Sequence, residues 1–164
     1  MSPRGPLLAM VLGMALAPGA GAGALQDAPA QVDEQARPTG TGSAWIDARL
    51  RDMDRYAARH REAFADEIVR YLDAPRPLVE EALADGRMRA GDLYYACALA
   101  RAAGQPCRTL VEAWRANAGP GWEAVLAQLQ LAADARPNVR IREDIVASYR
   151  RWARPIDVQV PPGA

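Results

Sequence analysis

From Ile46 onward, apolar positions return every three or four residues: Ile46, Leu50, Met53 and Ala57, then Phe64, Ile68 and Leu72, with His60 in the same series. That period places them along one stripe of an α-helix. Ser43 stands ahead of the series as an N-cap, its short hydroxyl side chain suited to accept from a free amide of the first turn. Glycine and proline are absent from Ala44 through Asp73. The pattern therefore predicts one long first helix of about thirty residues, roughly 45 Å at 1.5 Å per residue.

Shorter amphipathic segments follow. Ala74-Pro75-Arg76-Pro77 ends the first helix, and Pro77 suits the opening turn of the next, which carries Leu78, Val79, Ala82 and Leu83 before Asp85-Gly86 stops it. A third helix is expected from Gly91-Asp92 to Ala103, closed by Gly104, and a fourth from Pro106 to about Ala116. The breaker 117–121 precedes a brief segment with Trp122, Val125, Leu126 and Leu129. A last helix is expected from the cap Asn138, with Ile141, Ile145, Ala147 or Ser148, Tyr149 and Trp152 toward one side, ending at Pro155. Ile156, Val158 and Val160 alternate with polar residues, but a single strand without a partner makes no sheet. The helix lengths share no fixed period, so no tandem repeat is expected. The fold class is all-α: an irregular small helical bundle with a long first helix.

The N-terminus reads differently. Arg4, the uncharged run Leu7 to Ala17 and the small residues Ala22-Gly23-Ala24 have the order of a secretory signal peptide, expected over residues 1–24, with Ala28-Pro29-Ala30 as a second cleavage site. The run falls short of the roughly 20 apolar residues that span a bilayer comfortably. An uncleaved anchor is the alternative; after signal removal no integral membrane segment is expected. Residues 25–42 mix Ala, Pro, Gly and polar residues without period and are expected to form a mobile leader. The helical domain is then 43–154 and the tail 155–164. A periplasmic or secreted location follows from this reading.

All 20 basic residues are arginines, against 12 aspartates and 8 glutamates. Without Arg4 the formal balance is 19 − 20 = −1. Such a surface offers no general attraction to a polyanion, and no nucleic-acid partner is expected. Arg136, Arg140, Arg142, Arg150, Arg151 and Arg154 form a locally basic stretch, which solvated helix charge explains.

Both cysteines lie in GDLYYACALARAAGQPC, on either side of a Gly-Gln-Pro corner. Leu93, Ala96, Cys97 and Ala100 share one helix face, and Cys107, Leu110, Val111 and Trp114 another, so both thiols point toward a common core. In an oxidising compartment the even count favours a Cys97–Cys107 disulfide, with two buried thiols as the alternative. A redox role would want Cys-x-x-Cys at a helix start, and zinc would want four ligands. No metal site and no cofactor is expected.

Little catalytic chemistry is visible. His60 is expected to be a partly buried histidine on the first helix's stripe, without a nominated nucleophile or orienting acid. Glu80-Glu81, Glu143-Asp144 and Asp52/Asp54 are carboxylate pairs, but none has calcium-loop spacing, and an acid-pair hydrolase would need two of them across a cleft. Trp45, Tyr94, Tyr95 and Trp122 are the candidate interaction residues. They supply core volume in a chain with one phenylalanine, or, if clustered at the surface, a recognition patch.

Residues 86–131, with Gly91-Asp92, Gly104-Gln105-Pro106, Trp114 and Gly119 through Trp122, resemble small uncharacterised exported all-helical proteins of Gram-negative bacteria. The resemblance implies a shared packing signature, and no activity, substrate or catalytic residue. It also implies that the cysteines stand where such proteins can use small apolar residues, as an added bridge. The functional expectation is a non-enzymatic periplasmic interaction or structural protein with an envelope protein partner. The alternatives are a small envelope hydrolase using carboxylates and a solute- or metal-binding accessory protein.

Overall fold

The computed structural model describes residues 40–117, 121–131 and 136–158. The expected signal peptide, most of the leader and the end of the tail lie outside the described residues. Those described belong to one compact unit, Asp33–Ala164. They form seven helices and no strand: α1 Ala44–Arg59, α2 Arg61–Tyr71, α3 Arg76–Asp85, α4 Ala90–Ala103, α5 Cys107–Asn117, α6 Trp122–Gln128 and α7 Arg136–Arg151. The molecule is an all-α small helical bundle, as its apolar periodicity requires. None of these helices is long and apolar enough to cross a membrane.

The expected thirty-residue first helix is two helices. Their shared stripe is buried as expected, but the backbone turns at His60, with φ −135° and ψ 51°. His60 N–H closes α1 on the Tyr56 carbonyl at 2.9 Å, and the His60 carbonyl accepts from Phe64 to open α2, also at 2.9 Å. The bend folds Phe64 and Ile68 back into the core, where both are fully buried. A straight rod would carry them past it. His60 itself is exposed, contrary to the expectation of partial burial, and its ring lies 4.8 Å from that of Tyr56.

The stop signals act as predicted. Gly86 and Gly104 take the left-handed conformation that ends α3 and α4, at φ 67° and 66°. Behind Gly104, the Gln105 amide returns to the Ala100 carbonyl at 2.8 Å, a closure that satisfies an otherwise orphaned helix-end acceptor. The chain then re-enters the bundle as α5, and Cys97 and Cys107 meet at disulfide distance with Cα atoms 4.5 Å apart.

Helix α4 is the axis of the bundle. Gly91 through Ala100 are all buried, and α1, α5 and α7 pack around it. Its first turn crosses α1 so closely that a Cβ on Gly91 would overlap the Leu50 carbonyl. The Gly91 amide donates to Asp54 Oδ1 at 2.7 Å, giving the helix's free N-terminal N–H a partner.

Both ends of the domain extend beyond the expected boundaries. Order begins before Ser43: Thr41 is buried and donates through its hydroxyl to Asp47 Oδ1 at 2.7 Å, and the Gly40 carbonyl accepts from Glu123 N at 2.7 Å. Helix α7 begins at Arg136, two residues before Asn138, and ends at Arg151. The residues after it, expected to be a tail, return to α1, where the Asp157 carbonyl accepts from Trp45 Nε1 at 3.0 Å. Ile156 packs against the core.

Candidate functional site

The four aromatic residues singled out from the sequence do not form an exposed patch. Trp122, Tyr94 and Tyr95 have no exposed surface and Trp45 retains 4%. Trp122 stacks on Trp114 with centroids 4.5 Å apart and meets Tyr95 edge-on at 4.8 Å. Its indole N–H donates to Asp92 Oδ1 at 3.0 Å, so the rings of α4, α5 and α6 form one buried block. The Tyr95 hydroxyl is buried without a hydrogen-bond partner among the described residues. Tyr94 enters a polar chain through the core: its hydroxyl donates to Ser148 Oγ at 2.8 Å, which donates to Glu67 Oε1 at 2.7 Å. Arg151 Nε donates to the same carboxylate at 2.9 Å.

This chain has the residue types of acid–base chemistry but not their access. Ser148 is fully buried and Glu67 is 4% exposed. A nucleophile must reach substrate, and this hydroxyl is closed in by its own bundle. Burial holds the Tyr94 hydroxyl far above its ordinary pKa. The chain is a satisfied internal network tying α2, α4 and α7 together.

The expected carboxylate pairs are separated by arginines. Glu80 faces Arg76 at 3.4 Å and Glu81 faces Arg115 at 3.1 Å. Arg101 holds Asp144 at 2.7 Å. Asp52 accepts from the Tyr149 hydroxyl at 2.5 Å and from Arg154; burial alone would raise its pKa, but these two donors bring it below the ordinary value. Asp54 behaves oppositely, since burial pushes it up to about 6 although Gly91 N–H and Arg89 act against the rise. Asp92 is raised by burial too, against the pull of Arg89 and Trp122. Among the described residues no group of three His, Cys, Asp or Glu side chains could hold a metal ion.

The surface feature that stands out lies on the outer side of α7. Val139, Arg142, Glu143, Val146, Ala147 and Arg150 line an open groove of about 480 Å³, with Trp45 and Val158 contributing the opposite wall. These α7 positions fall at intervals of three, one, three, one and three residues, one continuous helix stripe. Val139 is 57% exposed and Val158 55%, two of the three large apolar side chains most open to solvent among the described residues. Arg142 lies over the Trp45 ring at 4.7 Å and Arg49 at 5.4 Å, so two cations lie against the indole at the groove edge.

The basic stretch noticed in the sequence is divided by the structure. Arg151 is committed to Glu67 and Arg154 to Asp52. Arg142 is laid on Trp45, and among the described residues neither Arg140 nor Arg150 has a carboxylate within 4.0 Å. Glu143 likewise has no cationic partner there. The groove therefore combines apolar surface with formal charges that have no ion-pair partner among the described residues.

Of the four sequence candidates, only Trp45 touches this groove. Sequence reasoning missed Val139, Val146 and Val158. The available signal was the seven-residue spacing of Val139 and Val146, a second apolar line on α7 away from Ile141, Ile145 and Tyr149.

The fold and groove together define a small all-α bundle, with a cysteine pair at disulfide distance between two neighbouring helices and an open groove along the outer stripe of one helix. No protein family, curated protein or solved structure matches the chain.

Proposed function

We propose that this is a non-enzymatic exported protein whose role is to bind another protein through the α7 groove, in the periplasm or outside the cell. The observation that carries this reading is the stripe from Val139 to Arg150, which combines exposed apolar surface with charges that have no ion-pair partner among the described residues. Exposed apolar side chains beside polar ones mark interaction sites more often than scattered surface hydrophobics do. A helix stripe of this kind suits helix-in-groove recognition, where residues at i, i+3, i+4 and i+7 supply the anchors. The signal-like N-terminus supports the location, and the cysteine pair suits an oxidising compartment.

The experiment is site-specific photocrosslinking in cells from position 139 or 158, with adducts recovered from the envelope fraction and identified. The expected result is a discrete adduct that disappears when Val146→Asp is introduced and helicity is unchanged. Absence of any adduct from either position, together with a hydrolase activity abolished by Asp54→Asn, overturns the reading in favour of carboxylate chemistry.

A further inference from the structure

The same stripe identifies its own partner. We propose that the α7 groove is occupied by α7 of a second copy of this chain, packed antiparallel about a two-fold axis; this rests on the reading of the groove as a docking face. A two-fold interface must be self-complementary, because each residue of the patch meets the patch again in reverse order. The α7 stripe meets that requirement. Glu143 and Arg150 are seven residues apart, about two helical turns, with Val146 and Ala147 midway between them. Reversing the helix about the Val146–Ala147 midpoint brings Glu143 of each copy opposite Arg150 of the other. Two reciprocal ion pairs then flank an apolar centre, where the small Ala147 lets the helices approach.

A parallel arrangement sets Glu143 against Glu143 and Arg150 against Arg150. Moving the antiparallel axis to the Glu143–Val146 interval leaves both charges opposite valine, and moving it to the Arg142–Glu143 midpoint pairs Glu143 with Arg142, a cation already engaged on the Trp45 ring. Glu143 and Arg150 are available because neither has an ion-pair partner among the described residues. Arg151, which would add a further cation near the axis, is withdrawn into its bonds with Glu67. Arg142 is laid on Trp45.

The stripe is about 16 Å long, well short of the roughly 800 Å² per partner of a standard interface, so the association is weak and concentration-dependent. Sedimentation equilibrium of protein purified from cells expressing the full chain tests it. The expected result is a reversible dimer with a dissociation constant on the order of tens to hundreds of micromolar. Glu143→Arg alone and Arg150→Glu alone each set like charges opposite each other at both ends and weaken the dimer about tenfold or more. Mixing those two variants in equal amounts restores association, because each then presents the charges the other lacks. Both side chains are exposed, and unchanged circular dichroism confirms that folding is intact.

A wild-type chain that stays monomeric to about 1 mM, well beyond the range expected for a weak interface, overturns the proposal. So does a dimer indifferent to both reversals, or a mixture that fails to associate. If the chain is monomeric but position 139 still yields a heterologous adduct lost with Val146→Asp, self-association fails and the docking face stands. If no adduct forms either, both fall.

Discussion

Helices α4 and α7 both place apolar residues in the core, yet one is surrounded and the other is half open. Along α4, ten consecutive residues from Gly91 to Ala100 are buried, including both tyrosines and an aspartate. Along α7, Ile141, Ile145, Ser148 and Tyr149 are buried on one side, while Val139 on the other is largely exposed. The difference shows where apolar residues serve folding and where they are left over. On α4 every direction meets another helix. On α7 the inner stripe is enclosed, while the outer one meets α1 at Trp45 and is otherwise open among the described residues.

Substitutions on the two helices should therefore differ sharply, and the largest effect belongs to the block that rests on α4. Trp122→Ala removes a fully buried ring and leaves Asp92 without its indole donor. A loss of about 4 kcal/mol is expected for such truncation, read as a fall in the urea midpoint. A loss below about 1 kcal/mol would mean that the Trp114–Trp122–Tyr95 block does not behave as a core.

Gly91→Ala comes next. The added methyl meets the Leu50 backbone, which cannot rotate away as a side chain would. About 2 kcal/mol of destabilisation is expected, with α1 and α4 forced apart. An alanine variant as stable as the parent would show that the crossing can loosen without cost.

The third test uses pH. Asp54 sits at about 6 in the folded protein, above the ordinary 3.8, so folding favours its protonated form. Its stabilising contribution is present below about pH 4 and is lost as pH rises through 6. Asp54→Asn keeps an oxygen to accept from Gly91 and removes the ionisation. The variant is expected to gain on the order of 2 kcal/mol over the parent at pH 7.5, and to lose most of that advantage at pH 4. Melting temperatures at the two pH values decide it; an equal difference at both sinks the assignment.

The smallest stability effect is expected on the outer stripe. Val139→Asp, at a position 57% exposed, should change the unfolding free energy by no more than about 0.5 kcal/mol, as for a surface position, while weakening whatever the groove binds. A large stability loss would instead place Val139 in the folding core and erase the contrast with α4.

Much of the bundle was legible because glycine and proline punctuate it. Gly86 and Gly104 can take the left-handed backbone cheaply, and Pro77 fits a first turn, so these boundaries fell where the residues required. The meeting of the two cysteines was legible from the two helix faces they share with Leu93, Ala96, Leu110 and Val111. The break at His60 was not, because no residue there disfavours helix; distant packing of Phe64 and Ile68 imposes it. The burial of Tyr94, Tyr95 and Trp122 was ambiguous for a related reason. A ring's size announces that it will pack but not on which side. The groove was least legible of all, since its walls come from opposite ends of the sequence.

Those opposite ends give the groove a place in time. The Trp45 indole is held by the carbonyl of Asp157, 112 residues later. A polypeptide made from its N-terminus has α1 long before it has the segment that completes that wall. Trp152, stacked on Tyr56, and Arg154, paired with Asp52, tie the same late segment to α1, so the groove is finished only once the segment through Val158 has folded back onto the first helix.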